Sequence, residues 1–239
     1  MSDQKRCIVV GATSGIGRAL ALAFATRGYT VGITGRRADL LATLDAALSG
    51  TSFQSAFDIR DDGAQAALAD LIAQMKTVDV VVVCAGIGAR NPTLDWHIEH
   101  DTVSTNVMGF ASMCNVAWQH FVERESGHLV GISSIAAVRG GPIPAYNASK
   151  AFVSSYLEGL RARAMKDRRA ITVTDIKPGF VHTDMAKGNL FWVASTEKAA
   201  NQIVEAVEAK RKHAYVTRRW RLIAWLLKTL PDWAYHRLV

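Results

Sequence analysis

Tyr146 and Lys150 are the pair of residues in this sequence whose types and spacing best suit catalysis. They stand four apart in Tyr146-Asn147-Ala148-Ser149-Lys150, which puts both side chains on one face of a helix, one turn apart. An ammonium near a phenol favours the phenolate and lowers the pKa of the tyrosine, so that the phenol can exchange a proton near neutral pH. We therefore predict that Tyr146 is an acid/base and that Lys150 lowers its pKa.

Ser134 supplies a hydroxyl that can join this pair. It closes the run Ile132-Ser133-Ser134, at the end of an apolar stretch typical of a buried strand, and can contact the same substrate oxygen as Tyr146. Each feature has an ordinary alternative, because a Tyr–Lys pair at this spacing is often a surface contact and a serine after a strand is often part of a turn. Their joint presence with a phosphate-binding loop is what indicates chemistry.

A glycine-rich turn follows the first predicted strand and opens a helix predicted over residues 15–27. Its sequence is Gly11-Ala12-Thr13-Ser14-Gly15-Ile16-Gly17. Glycines here allow a tight turn, close approach of the backbone to a pyrophosphate and close helix packing, while the helix N-terminus adds unpaired N–H groups and a favourable dipole. The turn therefore predicts a dinucleotide site, the alternative for such a turn alone being a purely structural role.

The end of the second predicted strand selects between the two dinucleotides. An acidic residue there bonds the ribose hydroxyls of NAD, whereas an arginine accommodates the 2′-phosphate of NADP. The strand ends in Gly35-Arg36-Arg37 without an acid, so we predict NADP(H) in preference to NAD(H), with Arg36 holding the phosphate and Arg37 assisting. The alternative is that both arginines are solvated at a turn. Asp58, after the third strand, suits either the adenine edge or a turn-forming role.

Strands and helices must alternate along the chain to bring these residues together. Apolar runs rich in β-branched residues predict buried strands, and apolar residues recurring every three or four positions predict helices. Continuous apolar strands alternating with helices are typical of a parallel sheet covered on both faces. We predict an α/β fold with a doubly wound, Rossmann-type parallel sheet, its strands over residues 5–10, 29–34, 53–57, 78–84, 128–132 and 170–176 and its helices over 15–27, 38–48, 63–75, 102–124, 146–165 and 196–210.

The composition fits one globular domain. The chain has 239 residues, of which 49% are hydrophobic and 21% charged, so that a sizeable core can offset the entropy of ordering the backbone. We predict a single domain over 1–239, with its core in about 5–210 and a basic, tryptophan-containing helical tail over 211–239. The three cysteines are odd in number and the chain start lacks the apolar run of a signal peptide, so we expect reduced thiols and a cytoplasmic location. No metal site is predicted.

Six ordered motifs resemble those of the short-chain dehydrogenase/reductase family, over essentially residues 5 to 210. They are Gly11-Ala12-Thr13-Ser14-Gly15-Ile16-Gly17, Cys84-Ala85-Gly86, Ser104-Thr105-Asn106-Val107, Ser133-Ser134, Tyr146-Asn147-Ala148-Ser149-Lys150 and Pro178-Gly179-Phe180-Val181-His182-Thr183. Six motifs at family-like separations are far more specific than any one of them. The resemblance implies a Rossmann-type fold and hydride transfer between a nicotinamide and a carbonyl or alcohol.

The resemblance also implies a role for each matching residue. Tyr146 would exchange the proton, Lys150 would hold the nicotinamide ribose, and Ser134 would orient the substrate oxygen. Asn106 would hold a water that links Lys150 to solvent, and Val181 would bond the carboxamide through its backbone. The implied catalytic set is Asn106, Ser134, Tyr146 and Lys150, and the cofactor contacts are Gly11, Thr13, Ser14, Gly15, Ile16, Gly17, Arg36, Arg37, Asp58, Ile59, Ala85, Gly86, Tyr146, Lys150, Pro178, Gly179, Val181 and Thr183.

Three positions depart from the commonest family pattern. Cys84 stands where an asparagine is usual, and we expect altered strand contacts there rather than lost activity. Ala137 replaces a common glycine. The segment from Ser134 to Tyr146 is one residue short, so either Ser133 or Ser134 faces the substrate, and we prefer Ser134.

Substrate choice is assigned to residues 87–95, to residues 136–145 and to the stretch after Thr183. Apolar side chains in that last stretch would line a pocket, which favours an apolar ketone, aldehyde or secondary alcohol. These side chains are Met185, Leu190, Phe191, Trp192 and Val193.

The tail combines cations, tryptophans and aliphatic residues in Arg218-Arg219-Trp220-Arg221-Leu222-Ile223-Ala224-Trp225-Leu226-Leu227-Lys228. Two interpretations remain open. In the favoured one the tail packs over the substrate cleft or against a partner subunit; in the other it lies in a membrane interface beside anionic lipids. No nucleic-acid-binding module accompanies it, so nucleic acid is not an expected partner.

The leading functional hypothesis is an NADPH-dependent carbonyl reductase, reversible as an alcohol dehydrogenase. The alternatives are an NAD-linked dehydrogenase, a membrane-associated reductase of lipid-like carbonyls, and a non-catalytic, cofactor-binding regulatory protein on the same fold. The family resemblance implies a homodimer or homotetramer, with the helix predicted over 102–124 as the contact.

Overall fold

A seven-stranded parallel sheet runs through the part of the chain that the structure, a computed structural model, describes: residues 4–183 and 191–237. The strands lie in the order β3-β2-β1-β4-β5-β6-β7, which confirms the doubly wound, Rossmann-type sheet. Their bounds are β1 Arg6–Val10, β2 Thr30–Gly35, β3 Ser52–Ala56, β4 Val80–Val83, β5 Ser126–Ile132, β6 Ala170–Pro178 and β7 His213–Val216.

Helices cover both faces of this sheet, which is why the central strand β4 is apolar without interruption. In β4, Val80 and Val82 face one core while Val81 and Val83 face the other. The first core lies under α1, α2 and α7, and the second under α3, α5 and α6. The helices are α1 Gly15–Thr26, α2 Ala38–Ala47, α3 Ala64–Gln74, α4 Trp96–Val103, α5 Phe110–Glu123, α6 Pro144–Lys166, α7 Thr196–Glu208, α8 Trp220–Thr229 and α9 Asp232–Tyr235.

The connections from the sheet leave in opposite directions on the two sides of β1, which lies between β2 and β4. A crevice opens at such a switch point, at the carboxyl ends of the strands. Gly11 follows β1 with φ +90°, and a Cβ there would lie 2.6 Å from the Cα of Ala85, which follows β4. Only glycine lets the two chain segments approach this closely, so the crevice forms where the motifs predict it.

The prediction of one helix over residues 102–124 is wrong at its start and in its continuity. The helical segment begins at Trp96 in α4, passes through a π-helical stretch over Ser104–Gly109 and continues as α5. Asp95 accepts a hydrogen bond from the amide of His97 and starts α4, a capping signal that precedes a stretch too polar to show helical periodicity. The π-helical stretch contains Asn106, and such stretches are frequent at functional sites.

The prediction that residues 211–239 form a helical tail is also wrong in part. Strand β7 joins the sheet edge beside β6, with Val216 paired to Pro178, so the sheet extends beyond residue 210. The strand has only four residues, of which Ala214 and Val216 are buried, and so short an alternation gives little signal in a sequence. Within the described ranges, no helix combines the length and the hydrophobicity needed to cross a bilayer.

Candidate active site

The glycine turn after β1 leaves backbone donors available at the start of α1. The amides of Gly11 and Ala12 both donate to the carbonyl of Thr34, at 3.0 and 2.8 Å, which holds the turn against β2. Ser14 caps α1 without a side-chain hydrogen bond, and the first turn of the helix carries no acid. A Cβ on Gly17 would lie 2.0 Å from the carbonyl oxygen of Gly11. The turn is therefore a Cβ-free cradle with unpaired N–H groups, which fits a pyrophosphate.

Two arginines stand beside this cradle, at the end of β2. Arg37, the predicted assistant, donates from Nη2 to the hydroxyls of Thr13 and Ser14, at 2.8 and 3.0 Å. Arg36, the predicted phosphate ligand, lies 3.5 Å from an Asp58 carboxylate oxygen, and its side chain remains 58% exposed. Both guanidinium groups therefore lie at the edge of the crevice, and they fit an anion as large as a 2′-phosphate.

Asp58 has a partner that the sequence did not indicate. Burial on its own would raise the pKa of Asp58, but hydrogen bonds from the side chain and backbone of Arg60 hold it below its usual value. The Arg60 guanidinium lies 2.8 Å from the carboxylate and also contacts Asp101. Ile59, between them, is buried, and a Cβ on Gly109 of the π-helical stretch would lie 2.7 Å from its side chain. The Asp58 carboxylate is thus already paired with cations.

The two serines at the end of β5 face different partners. Ser133 is buried and donates to Asp175, at 2.5 Å, and to the carbonyl of Ile176, at 2.9 Å. Ser134 accepts from the amide of Ala136 at 3.1 Å and so starts the 3-10 turn Ile135–Val138. Its hydroxyl also lies close enough to the Tyr146 phenol to lower the pKa of that phenol. Ser134 is therefore the serine beside the phenol.

The predicted effect of Lys150 on Tyr146 is wrong in this structure. Burial raises the pKa of Tyr146, and Ser134 lowers it only in part. The Lys150 ammonium lies 5.8 Å from the centre of the phenol ring and donates to the carbonyl of Ile132 at 3.0 Å. Loss of water around the phenol therefore decides the direction of the change in the Tyr146 pKa, because the Lys150 ammonium is hydrogen-bonded elsewhere.

Lys150 is itself the most perturbed cation of the site. Burial lowers its pKa to about 8, and the charge of Asp175 offsets only part of that change. The neighbouring Cys84 thiol is neutral at physiological pH, because burial raises its pKa to about 12. Lys150 therefore has a proton that can be exchanged within the pH range in which enzymes work.

A buried carboxylate network lies behind the two serines. Burial on its own would raise the pKa of Asp175, but nearby His213, the Lys177 ammonium and Ser133 lower it to about 2. Lys177 also donates to Ser154, at 2.5 Å. The network connects β6 to the turn that carries Ser134. No sequence motif indicated this network.

The Asn106 side chain hydrogen-bonds the loop after β4 and not Lys150. Its amide nitrogen donates to the carbonyl of Ile87 at 2.7 Å and to the Ser149 hydroxyl at 3.0 Å, while its oxygen accepts from the Ile87 amide at 2.8 Å. A Cβ on Gly86 would lie 3.1 Å from Lys150 Nζ and 3.2 Å from Asn106 Oδ1. The Asn106 amide oxygen and the Lys150 ammonium therefore face the same point. The sequence indicated Asn106 as a site residue but not its hydrogen bonds to Ile87.

Gly88 is a site residue that the sequence did not single out. A Cβ at this position would lie 2.6 Å from Cδ2 of the Tyr146 ring. Its backbone therefore forms one wall against the phenol. The Gly86-Ile87-Gly88 alternation directly after the Cys84-Ala85-Gly86 motif is the signal that could have found it.

The segment 178–183 reaches the glycine turn. A Cβ on Gly15 would lie 3.2 Å from Thr183 Cγ2. Val181 forms an isolated parallel bridge with Ala194, in which the hydrogen bonds use the carbonyl of Phe180 and the amide of His182. The backbone amide of Val181 thus lies outside that bridge and is available to a ligand.

Trp220 of the tail joins an aromatic cluster against this segment. A Cβ on Gly179 would lie 2.0 Å from the Trp220 indole, so the ring packs directly on that backbone. The Trp220 ring also packs near Phe180, Phe191 and Trp192, with centroid separations of 5.2, 5.3 and 6.1 Å. Of the predicted pocket residues, Met185 and Leu190 lie outside the described residues.

Arg139 attaches the tail to the turn that follows Ser134. Its guanidinium donates to the carbonyls of Leu227 and Leu230, at 3.2 and 2.5 Å, pairs with Asp232 and lies 4.2 Å from the centre of the Tyr235 ring. The Tyr235 phenol in turn donates to the carbonyl of Gly140. The tail therefore packs beside the turn that follows Ser134.

Comparisons with known proteins agree with this geometry. The family model described as short chain dehydrogenase matches residues 5–194. An uncharacterised oxidoreductase of Myxococcus xanthus is 34% identical over 95% of this chain and 93% of its own length. An NADP-dependent 3-hydroxy acid dehydrogenase of Salmonella typhi is 33% identical over 73% of this chain and 71% of its own. The structure of a short-chain type dehydrogenase/reductase from Mycobacterium ulcerans is 25% identical, with a TM-score of 0.78 over 90% of this chain and 89% of its own.

Proposed function

The chain belongs to the short-chain dehydrogenase/reductase family, and from that premise we propose that it is an NADP(H)-dependent oxidoreductase that interconverts a ketone or aldehyde and the corresponding alcohol, with Tyr146 as the acid/base. One observation carries the proposal. Ser134 and the Lys150 ammonium both lie beside the Tyr146 phenol, the ammonium 5.8 Å from the centre of its ring.

Each residue has a proposed task in this reaction. Tyr146 gives its phenolic proton to the carbonyl oxygen during reduction and takes it back during oxidation, while Ser134 donates a hydrogen bond to the same oxygen. Lys150 replaces the proton that Tyr146 loses, and its pKa of about 8 suits that exchange. Asn106 keeps the loop at Ile87 against Lys150, and its remaining oxygen lone pair is the acceptor we propose for a relay water.

The cofactor would supply or accept the hydride. We propose that the turn over residues 11–17 holds its pyrophosphate, that Ala85 and Gly86 lie along it, and that Val181 and Thr183 contact the nicotinamide end. Asp58 and Ile59 are proposed at the adenine. Arg36 and Arg37 support NADP(H) over NAD(H), as does the NADP dependence in the name of the Salmonella typhi relative.

The substrate is proposed to be an apolar small molecule, because Phe191, Trp192 and Trp220 pack together beside Gly179, which directly follows β6. We also propose a homodimer or homotetramer, on the general behaviour of the family, and a cytoplasmic location. The free thiols of Cys7, Cys84 and Cys114 support a reducing compartment.

Arginine replacement tests the cofactor assignment. Arg36→Ala should weaken NADPH binding about tenfold while leaving NADH within about twofold, because it removes a charge-assisted contact that only the 2′-phosphate makes. Equilibrium dissociation constants for both dinucleotides, measured by titration calorimetry, check this. Arg27→Ala, at the opposite end of α1, is the matched control. Equal losses for NADPH and NADH would contradict the 2′-phosphate assignment.

A further inference from the structure

Helix α8 is apolar on two opposite faces, of which the fold covers only one. Trp220 and Ala224 are buried against the body of the protein. Leu222, Trp225 and Leu226 lie on the other face, because residues three and four apart share a side of a helix, and Leu222 and Trp225 are 69% and 66% exposed. A surface helix of a monomeric protein ordinarily carries polar residues on its outer face, so this face has the composition of a contact surface.

Cations border this apolar face. Residues 211–239 contain seven lysines and arginines and one acid, which makes them responsible for six of the chain's seven net positive charges. Asp232, the single acid, is already paired with Arg139. Arg221 and Lys228 are exposed and form no ion pair within residues 4–183 and 191–237. The outer face of the tail thus combines exposed tryptophan and leucine with uncompensated positive charge.

The face is held rigidly rather than as a loose extension. Arg139 donates to the last carbonyls of α8, and the Tyr235 ring of α9 is buried beneath that guanidinium. In α9, Trp233 is exposed and has the Arg237 guanidinium 5.7 Å from its ring. The apolar residues of both helices are therefore presented outward by a folded scaffold, which avoids the entropy of ordering a free segment on binding.

We propose that α8 and α9 form a membrane-contact surface, in which Leu222, Trp225 and Leu226 enter the interface of an anionic bilayer while Arg221 and Lys228 meet the lipid headgroups. Tryptophan and leucine on one face with lysine and arginine at its border are the composition of helices that lie in such an interface. Each cation near the surface adds attraction to anionic lipid, and long cationic side chains reach the headgroups while their stems stay apolar.

The charge of this face favours an anionic membrane over a second copy of the chain as the partner that binds it. Two copies meeting through this face would bring two sets of uncompensated cations together, whereas an anionic bilayer neutralises them. Leu222 and Leu226 are aliphatic and offer no stacking surface for nucleobases. Charge and composition therefore both favour lipid.

Vesicle sedimentation of the full-length protein tests the proposal. The protein should sediment with vesicles of phosphatidylglycerol and phosphatidylcholine in equal parts and stay in solution with phosphatidylcholine alone. Salt at about 0.5 M should release it, because the headgroup attraction is screened. The variants Leu222→Ser/Trp225→Ser and Arg221→Glu/Lys228→Glu should each lower the vesicle-bound to free ratio about tenfold. Binding needs no enzymatic turnover, so its outcome is separate from that of the proposed reaction.

Met165→Ser and Lys166→Glu are the matched controls, at the C-terminal end of α6, where Met165 is 68% exposed. Both controls should bind vesicles as the unaltered protein does, and all variants should keep its thermal unfolding temperature. Protein that stays in solution with anionic vesicles, or tail variants that bind undiminished, would overturn the proposal. So would sedimentation velocity showing that Leu222→Ser/Trp225→Ser dissociates an oligomer of a protein that does not bind vesicles, because the face would then belong to a second copy.

Discussion

The proposed cofactor side and the proposed substrate side of the cleft are built in different ways. On the cofactor side, backbone meets backbone: Gly11 packs on Ala85, Gly17 on Gly11, and a Cβ at any of these glycines would clash. On the substrate side, long side chains meet each other, as where Trp220 packs among Phe180, Phe191 and Trp192. The first arrangement tolerates no added atom, whereas the second tolerates changes of shape as long as the total volume is kept.

This difference suits the two ligands. Nicotinamide cofactors share one shape, so a rigid backbone cradle serves every turnover, whereas substrates differ and require surfaces that mutation can remodel. The proposed acid/base Tyr146 lies at the boundary, with the Gly88 backbone against its ring and Ser134 near its phenol. Changes at this boundary should therefore cost the most activity, and changes in the substrate wall the least.

Removal of the Tyr146 hydroxyl is expected to have the largest effect. Tyr146→Phe keeps the ring that packs on Gly88 but removes the proton donor, so kcat should fall about a thousandfold while NADPH still binds as before. Stopped-flow or steady-state NADPH consumption with a series of ketones and aldehydes measures the loss, and dissociation constants measure the retention. A variant with near-normal turnover would remove Tyr146 from the mechanism.

Crowding of the same ring by an added Cβ at Gly88 should come next. In Gly88→Ala the new Cβ would lie 2.6 Å from the ring of Tyr146, and displacement of a catalytic group by about 1 Å can cost about a hundredfold in kcat/KM. Gly63→Ala is the control, because a Cβ there meets nothing within 4 Å. The comparison between backbone and side-chain packing would be weakened if both alanine variants kept full activity with unchanged thermal stability.

Much of the cofactor side could be predicted because its requirements are local. A turn of a few residues requires the glycines Gly11, Gly15 and Gly17. Four-residue spacing alone brings Tyr146 and Lys150 to one helix face. The parallel sheet covered on both faces follows from alternating strands and helices for the same reason. Residue types at short separation therefore carry most of this information.

The rest depends on contacts between distant segments. Arg60 meets Asp58 and Asp101, Arg139 meets the end of α8, and Ser133 meets Asp175, at separations that no local pattern encodes. The Tyr146 pKa was predicted in the wrong direction for this reason, because burial depends on the whole fold while the helical spacing of Lys150 does not. Strand β7 is too short to be recognised without its neighbour β6.

Loss of the Asp175 charge should sharpen the comparison through pH. Asp175 raises the pKa of Lys150, which burial has lowered to about 8. Without that carboxylate Lys150 loses its proton at lower pH, so the alkaline limb of kcat/KM should move to lower pH, with about a tenfold loss of kcat/KM on that limb. The folded pKa of Asp175 is about 2, below its ordinary 3.8, so this carboxylate stabilises the fold above about pH 4, and that contribution disappears as the pH falls toward 2.

Two variants separate this effect from simple destabilisation. Asp175→Asn alone leaves the Lys177 ammonium partly buried and unpaired, which costs about 3–5 kcal/mol. The pair to compare is therefore Asp175→Asn/Lys177→Met and Lys177→Met, because both lack the ion pair and only the first lacks the carboxylate. Superimposable pH profiles of kcat/KM for these two proteins would show that Asp175 acts on the fold alone.

The smallest effect is expected where the substrate wall is attached. Arg139→Ala removes hydrogen bonds to Leu227 and Leu230 and the cation over Tyr235, so α8 should open locally more often, at a cost of about 1–3 kcal/mol. Because Trp220 then covers Gly179 less firmly, KM should rise about threefold while kcat stays within about twofold. Hydrogen exchange of the α8 amides reports the opening, and Tyr235→Phe, which loses only the bond to Gly140, should change it less. Faster exchange without any change in KM would separate the tail from the substrate wall, whereas a matching fall in kcat would mean that side-chain packing positions the catalytic turn as strictly as the glycine backbone does.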